Sequence, residues 1–381
     1  MDFTLTEEQQ LLRDTVAGYL AARYDLEKSR AAIKTGEGWQ PAIWRGFAEE
    51  LGILGATLPE EVDGMGGRPA ELQIIAEELG RALVAEPFID TVVVGAGLLG
   101  RSGGQEELLR GIAAGSVRVA FAALEKTSGN VLDAVRTTAR RDGDEWVLDG
   151  TKILVTSAPL ATHLIVSART SGEERDTDGL SLFVLPFDPQ NLPEGVEYHP
   201  YRTIDDRQAA DFVFTGLRLP ADALLGAEGE AWAVIEPTAA EAVAAISAEA
   251  VGLLRKVFTD TVEYTKQRQQ FGVPISSFQA LQHRMVDMYM ELEQAAAAAQ
   301  LAGAALSAAD SAERARALSA AKVTIGRAAR FIGQNAVQLH GAMGMTEELA
   351  IGHYFKRLTV LEREFGSTDY HRTRYAELTR P

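Results

Sequence analysis

The spacing of apolar residues changes its period twice along this 381-residue chain, and this constrains the fold more than any other feature. Up to about residue 115, apolar residues recur every three or four positions, as in amphipathic helices. From about 117 to 226, short β-branched and apolar runs alternate with turn signals, as in strands. From about 228 the helical period returns in long segments with short connections, as in an antiparallel bundle. The pattern therefore predicts an α+β protein: an N-terminal helical domain (1–115), a middle antiparallel β domain (116–227) and a C-terminal four-helix bundle (228–381).

Local signals suggest where some elements begin, end or bend. Asp142-Gly143 and Asp149-Gly150 are expected as tight turns, because each dipeptide lies between two strand-like runs. Ser276 and Gln279 have the spacing of a capping box, which predicts the start of the second bundle helix. Pro237 predicts a break or kink in the first bundle helix, since proline removes a backbone donor.

Composition excludes several classes of protein. The formal net charge is −17, and such an acidic surface repels nucleic-acid backbones and anionic lipid. The chain contains no cysteine, so disulfides, thiol nucleophiles and cysteine-ligated metals are excluded. The N-terminal residues lack a secretory pattern, and the apolar runs are too short to cross a bilayer. We therefore expect a cytoplasmic protein without a membrane span.

Few residues carry chemistry by pattern alone. The six histidines include no helical metal-binding pair, so no metal site is expected. The chain has no Rossmann, Walker or nucleophile-elbow glycine motif, which argues against dinucleotide dehydrogenases, NTPases and α/β-hydrolases. Two segments, Arg268-Gln269-Gln270-Phe271-Gly272 and Gln338–Gly344, close long helices. They are either ordinary helix ends or places where an arginine and small residues approach a nucleotide.

The whole chain resembles the acyl-CoA dehydrogenase family through modest motifs that occur in the family's order. The N-terminal matches are Phe3-x-Leu5-x-Glu7-Glu8-Gln9, Leu58-Pro59-Glu60-Glu61, Gly64-x-Gly66-Gly67 and Glu77-Glu78-Leu79-Gly80-Arg81. Those of the β domain are Leu148-Asp149-Gly150-Thr151-Lys152-x-x-Val155-Thr156, Leu219-Pro220 and Leu225-Gly226. Those of the bundle are Arg268-x-x-Phe271-Gly272, Phe278-Gln279-x-x-Gln282-His283 and Gln338–Met345. Within the family, the chain resembles the small subunit of pimeloyl-CoA dehydrogenase and subunits of heteromeric steroid side-chain acyl-CoA dehydrogenases.

The resemblance implies FAD-dependent α,β-desaturation of an acyl-CoA thioester, with an electron-transferring flavoprotein as acceptor. A carboxylate base and enolate-stabilising donors are needed, because an α-proton is a weak acid. By resemblance, one subunit holds the flavin ring and its neighbour reaches the rest of the cofactor. Arg268 would pair with the pyrophosphate, Phe271 would pack on the cofactor, and Thr156 would face the flavin. The remaining cofactor-binding positions implied by the resemblance are Gln279, Gln338, Gly341, Gly344 and Thr368.

The chain departs from the family at the catalytic base. In the stretch Glu364-Phe365-Gly366-Ser367-Thr368, Gly366 takes the usual base position, and glycine cannot accept a proton. Some family members place the base early in the first bundle helix, a register that falls here on Ala242. Glu241 is one residue away, which turns its side chain by about 100°, so it is either the base or an ordinary helix-surface glutamate. Glu249, further along the helix, is interpreted as a packing or capping residue.

A further departure affects the flavin-ring side. The family's flavin-cradling loop corresponds here to Ala123–Asn130, and its usual tryptophan is replaced by Leu154. Since the retained motifs serve the neighbour's cofactor, we predict a supporting subunit of a heteromeric dehydrogenase that pairs with a second dehydrogenase-like subunit, in a heterotetramer.

Three alternatives stay open at the level of sequence. The chain is a self-contained dimer or tetramer that uses Glu241, an oxygen-reactive flavoenzyme of the same fold, or a structural subunit without cofactor.

Overall fold

The computed structural model describes residues 3–36, 38–129 and 131–380, which form two compact units. One unit is helical and contains the chain up to Leu26, Pro69–Val84 and the residues from Val243 onward. The other contains Glu27–Arg68 and Ala85–Ala242, including the large sheet. The fold is thus α+β, with a helical N-terminal region, a middle β-sheet domain and a C-terminal helical domain, as predicted.

The helices agree with the sequence pattern in most places. They are α1 (Glu7–Arg23), α2 (Leu26–Thr35), α3 (Pro41–Glu49), α4 (Pro69–Arg81), α5 (Ala96–Ser102), α6 (Glu106–Ala113), α7 (Trp232–Gln267), α8 (Gln279–Ala305), α9 (Ser311–His340), α10 (Ala350–Leu361) and α11 (Thr368–Thr379). A seven-residue π-helix, Ile89–Gly95, precedes α5. The sequence analysis did not predict α2.

One local prediction about the helices was wrong in part and another was wrong. α7 continues through Pro237, so the predicted break does not occur, while the alternative of a kink stays a prediction. The capping box at Ser276 does not form: α8 begins at Gln279 after a 3₁₀ turn, and its N-cap Phe278 offers no capping oxygen. The Ser276 carbonyl instead accepts a hydrogen bond from the Gln282 side chain, at 3.0 Å. The spacing was right for a cap, but Ser276 lies within the 3₁₀ turn Ile275–Ser277, three residues before the first residue of α8, so it is not the N-cap.

The β unit contains one large sheet and the helical unit a short hairpin. The strands are β1 (Val119–Ala122), β2 (Thr138–Asp142), β3 (Glu145–Thr156), β4 (His163–Arg169), β5 (Leu180–Pro186), β6 (Val196–Arg202), β7 (Gln208–Pro220), β8 (Leu224–Leu225), β9 (Gln269–Gln270) and β10 (Val273–Pro274). The large sheet has the order β6-β7-β3-β2-β4-β5-β8, with β1 beside β4. It is antiparallel except that β1 pairs with β4 in parallel and β2 meets β4 at one parallel bridge.

The two Asp-Gly dipeptides adopt different local structures in this sheet. Asp142-Gly143 forms the predicted turn between β2 and β3. Asp149-Gly150 lies inside β3, where the pairing with β7 shifts register, so the prediction of a second turn was wrong. Because β7 continues alongside β3 past this point, the dipeptide becomes a β-bulge. A bulge of this kind bends the strand locally. Lys152 and Thr156 follow the bulge in β3.

Candidate cofactor-binding site

Thr156, the residue expected to face the flavin, ends β3 in the β unit. Its hydroxyl donates to Asp90 Oδ1 at 2.6 Å, and the neighbouring Ser157 hydroxyl donates to Asp90 Oδ2. Asp90 belongs to the π-helix, and Ser157 has a φ of +58°. Rare backbone of both kinds is concentrated at functional sites. The Thr156 proton is therefore directed to Asp90, and its oxygen can only accept further hydrogen bonds.

A buried ion pair holds the loop that corresponds to the family's flavin cradle. Lys152 Nζ lies 2.8 Å from Glu125 Oε1, and it also donates to the Ala123 carbonyl and the Ser167 hydroxyl, both at 3.1 Å. Burial opposes ionisation of Glu125, but Lys152 and two backbone donors hold the pKa of this carboxyl below its usual value. Burial lowers the pKa of Lys152. The loop is thus anchored at Glu125; Asn130, at its end, lies outside the described residues.

Leu154, which replaces the family's tryptophan, is exposed on β3 with a φ of +50°. Its backbone N–H donates to Asp211 Oδ1 at 2.8 Å, and the Tyr201 hydroxyl donates to the same oxygen at 2.8 Å. Leu154 therefore presents an aliphatic side chain, and the aromatic ring that the family's tryptophan would offer for stacking is missing at this position.

Glu241, the candidate base, lies on α7 and is partly exposed. Its carboxylate forms an ion pair with Arg101 Nη2, while Arg101 Nη1 donates to the Gly97 carbonyl at 3.2 Å. Ala242, the residue at the family register, is fully buried. The ion pair thus joins the Glu241 carboxylate to Arg101 of α5 within the β unit.

Arg268 and Phe271 lie at and just beyond the C-terminus of α7, in the helical unit. The Arg268 side chain is exposed and makes no ion pair or hydrogen bond with any other described residue. Phe271 is 91% exposed at the tip of the β9–β10 hairpin, with a φ of +54°, and its ring meets that of Phe278 edge-on. A free guanidinium beside an exposed ring is suited to bind a phosphate-containing aromatic ligand.

The Gln338–Met345 segment lies at the same end of the helical unit as Arg268. The Tyr264 ring, one turn before Arg268, stacks on the His340 ring at 4.2 Å, and its hydroxyl donates to the His340 carbonyl at 3.4 Å. Gln338 and Gly341 are exposed, and Gly344 is buried in a 3₁₀ turn. A Cβ at Gly344 would lie 2.7 Å from the Val337 carbonyl oxygen, so only glycine lets this turn approach α9 so closely.

The two other predicted cofactor residues have different surroundings. Gln279 is the exposed first residue of α8. Thr368 begins α11, and its backbone N–H donates to Glu362 Oε1 at 2.9 Å. The Thr368 side chain packs above Gly326 of α9, so its hydroxyl is engaged within the unit.

Gly366, predicted from the sequence to occupy the family's base position, is buried with a φ of +109°. A Cβ there would lie 2.5 Å from Tyr370 Cδ1 and 2.7 Å from His371 Nε2. Both the backbone and the surroundings therefore exclude a side chain at this position.

Sequence analysis missed the buried charges around this turn. Arg357 binds Glu249 and Glu364 through both carboxylate oxygens of each, at 2.7 to 3.0 Å. Lys322 Nζ donates to the carbonyls of Leu361 and Glu364 at 2.9 and 2.8 Å, and burial lowers the pKa of this lysine to about 8. Glu249 was expected to pack or cap, and the structure makes it an ion-pair partner. No spacing rule would have revealed this cluster, since its members are on different helices.

The described residues include no cluster of three or more acidic or histidine side chains that could hold a metal ion. None of their helices is both long and apolar enough to cross a membrane.

The N-terminal helical region, the middle β-sheet domain and the C-terminal helical domain match, in this order, the three domains of one family of oxidoreductases. The N-terminal, middle and C-terminal domain models of acyl-CoA dehydrogenases match residues 6–116, 120–217 and 229–378, respectively. The chain belongs to the acyl-CoA dehydrogenase family.

Individual relatives extend over nearly the whole chain. Acyl-CoA dehydrogenase FadE12 of Mycobacterium tuberculosis is 33% identical over 363 residues, covering 92% of this chain and 90% of the relative. A solved structure of a variant of the Tcur3481-Tcur3483 steroid ACAD has 27% identity and a TM-score of 0.86, covering 98% of both chains. The ChsE4-ChsE5 complex from Mycobacterium tuberculosis, at 24% identity and a TM-score of 0.86, shares the fold and covers 100% of both chains.

The candidate residues differ in how they fit the parts of FAD. Arg268, with no acidic partner among the described residues, fits the pyrophosphate, and Phe271 offers an uncovered ring for the cofactor. On the flavin-ring side the fit is poor: the Thr156 proton is taken by Asp90, Leu154 offers no aromatic ring, and Gly366 supplies no base. Among the described residues, Arg268 and Phe271 therefore fit one part of FAD, while Leu154 and Gly366 offer neither an aromatic ring nor a base for its reacting part.

Proposed function

We propose that this chain is the supporting subunit of a heteromeric, FAD-dependent acyl-CoA dehydrogenase that desaturates an acyl-CoA thioester between Cα and Cβ. The observation that carries the proposal is the state of position 366. Glycine there has a positive φ and is enclosed by Tyr370 and His371, so the chain has no base at the usual family position. FAD, when bound, supplies the hydride acceptor for this reaction, with an electron-transferring flavoprotein as the acceptor that follows.

In this proposal, Arg268 binds the pyrophosphate of a cofactor whose flavin ring lies in the partner subunit. Its guanidinium has two parallel donors for phosphate oxygens and no competing acidic partner among the described residues. Phe271 packs on that cofactor, and Gln338, Gly341 and Gly344 line its adenosine end. The α-proton is taken by a base of the partner subunit.

An exposed apolar stripe supports association with a second subunit. Val286, Met290, Ala297 and Leu301 recur at helical spacing on the exposed side of α8. Exposed apolar side chains arranged along one helix face indicate a protein contact. Complexes of this fold occur, as the ChsE4-ChsE5 complex illustrates. We propose that the partner is a second acyl-CoA dehydrogenase-like chain.

The proposal is tested by flavin content and turnover. The chain is purified alone and after co-expression with a second acyl-CoA dehydrogenase-like chain, and FAD is measured from the absorbance spectrum. We expect little flavin and no acyl-CoA-dependent bleaching from the lone chain, and both from the co-expressed pair. Full flavin occupancy with turnover in the lone chain would overturn the proposal and favour a self-contained enzyme.

A further inference from the structure

One buried arginine of the β unit binds backbone carbonyls with its whole side-chain head group. Arg169, the last residue of β4, is 7% exposed. Its Nε, Nη1 and Nη2 atoms lie 3.0 to 3.4 Å from six carbonyl oxygens, those of Asp133, Val135, Ser171, Glu174, Asp176 and Asp178. A guanidinium has five N–H groups in one plane, so at least one N–H is shared between two oxygens. All the donors of this side chain are therefore directed at backbone.

The six oxygens belong to two stretches of chain that Arg169 joins. The return segment (131–137) leads from the loop at Glu125 to β2, and the β4–β5 loop (170–179) connects two strands of the large sheet. The two stretches also meet directly, since the Val135 N–H donates to the Glu174 carbonyl at 2.9 Å. Carbonyls that turn inward lose their water, so each of them needs a donor from the protein. Arg169 supplies donors to both stretches at once.

The carbonyls surround the guanidinium as ligands surround a bound cation. Backbone carbonyls and carboxylates are the oxygen ligands that loops offer to cations. Burial lowers the pKa of Arg169, and the nearby carboxylates of Asp176 and Asp133 oppose this shift. Because an arginine side chain is not deprotonated in proteins, the charge inside this ring of oxygens is permanent. The cation of the loop is thus a part of the chain itself.

The return segment passes this order on to the loop that follows β1. The backbone N–H groups of Arg136 and Thr137 donate to Glu125 Oε2 and Oε1, at 2.8 and 3.0 Å. The Thr137 carbonyl accepts from the backbone N–H of Arg169 at 2.7 Å. Glu125 therefore holds the return segment by its N–H groups, while Arg169 holds it by its carbonyls.

We propose that the return segment and the β4–β5 loop form a cation site whose resident cation is the Arg169 guanidinium, and that Arg169 positions Glu125 through the return segment. If the side chain at position 169 is shortened, the same carbonyls become a site for a free guanidinium ion. The inference goes beyond the proposed function and holds with or without flavin, because every contact in it lies within the β unit.

Hydrogen exchange of the purified full chain, measured by mass spectrometry, tests the proposal. In Arg169→Ala, the amides of Val135, Arg136 and Thr137 should exchange at least about tenfold faster than in wild type, because their segment has lost its anchor. Millimolar ethylguanidinium replaces the missing part of the side chain and should slow this exchange again. Arg169→Lys should also exchange fast, since an ammonium group has three donors and lacks the planar fork.

Arg136→Ala is the matched control. It removes an ion pair between the same two stretches, Arg136 Nε to Glu174 Oε2 at 2.8 Å, but the Arg136 side chain is exposed. Its exchange should stay within about twofold of wild type and should not respond to ethylguanidinium.

Two results would overturn the inference: wild-type exchange in Arg169→Lys, or fast exchange in Arg169→Ala that ethylguanidinium does not slow. If Arg169→Ala does not fold, NMR of the wild-type chain decides. The Nη protons of Arg169 should then give separate, slowly exchanging signals, and a freely rotating guanidinium would contradict the site. These measurements need no FAD, so their failure is distinct from failure of the flavin test.

Discussion

Arg357 binds Glu249 through two parallel hydrogen bonds, Nε to Oε1 at 2.8 Å and Nη2 to Oε2 at 3.0 Å. Both side chains are almost fully buried, and the guanidinium also binds Glu364. Two carboxylates thus share one arginine in the interior of the helical unit. Charges removed from water in this way need complete pairing, because an unpaired buried ion is strongly destabilising.

Replacing Arg357 by alanine should therefore destabilise the chain strongly. The change removes the buried guanidinium that binds Glu249 through both carboxylate oxygens, and we expect the free energy of unfolding to fall by about 3–5 kcal/mol. Denaturant unfolding monitored by circular dichroism measures the loss. Arg363→Ala is the control, because Arg363 is mostly exposed and its contact with Glu362 is long, at 4.0 Å. That variant should stay within about 0.5 kcal/mol of wild type. A small effect at Arg357 would contradict the buried network.

Arg268→Gln should weaken the cofactor and leave the fold intact. The side chain is exposed and has no partner among the described residues, so unfolding should change by less than about 0.5 kcal/mol. Loss of a charge-assisted pair with the pyrophosphate should weaken FAD binding in the assembled complex by about 10- to 100-fold. Flavin fluorescence during dilution measures this. Arg268→Lys keeps the charge but not the bidentate geometry, so its FAD affinity should lie between those of wild type and Arg268→Gln. Unchanged FAD affinity in Arg268→Gln would exclude the proposed role.

Glu241→Gln separates the supporting subunit from a self-contained enzyme. Because Glu241 is paired with Arg101, we expect acyl-CoA-dependent flavin bleaching in the co-expressed complex to change less than about threefold. Stopped-flow absorbance measures the bleaching rate, with Glu236→Gln on the same helix as control. A loss of about 10³-fold or more would identify Glu241 as the base and contradict the proposal.

Met290→Glu should weaken subunit association. It places a charge in the apolar stripe of α8, and we expect the dissociation constant of the assembly to rise at least about tenfold. Sedimentation velocity over a concentration series measures the effect. Gln300→Glu adds the same charge at an exposed position of α8 outside the stripe. It should leave association within about twofold of wild type, and equal effects of the two variants would argue against the stripe as the contact surface.

Stability should fall in mildly acidic solution partly because of His371. The pKa of this residue is about 4 in the folded chain and about 6.5 when unfolded, so only the unfolded chain gains its proton between these values. The stabilisation is complete above about pH 6.5 and is lost as the pH falls towards 4, by about 3 kcal/mol in total. Urea unfolding of wild type and His371→Gln at several pH values measures the difference, which should shrink as the pH falls. His199→Gln, at an exposed histidine, is the control. A constant difference would contradict neutral burial of His371.

Much of the architecture followed from local signals. The period of apolar residues predicted most of the helices and the sheet, since burial of one face requires that spacing. The prediction of a turn at Asp149-Gly150 was wrong, because the same residue types occur in hairpin turns and in β-bulges. Only the continued pairing of β7 with β3 decides between the two structures. α2 was missed. The Ser276 capping box did not form because a 3₁₀ turn includes Ser276 and α8 begins only at Gln279, which the spacing of the two residues does not reveal.

The features of the candidate site can likewise be divided into those predicted from the sequence and those seen only in the structure. The sequence by itself determined the three-part fold, the exposed Arg268-x-x-Phe271-Gly272 end of a long helix and the absence of a carboxylate at position 366. Only the tertiary structure decided that Asp90 takes the Thr156 proton, that Arg357 binds Glu249, and that His371 fills the space beside Gly366. The first set depends on residue identity and short-range period. The second set depends on the directions of side chains that meet between distant elements: Asp90 and Thr156 are 66 residues apart, and Glu249 and Arg357 are 108 residues apart. Packing determines these directions, and the spacing of residues in the sequence does not.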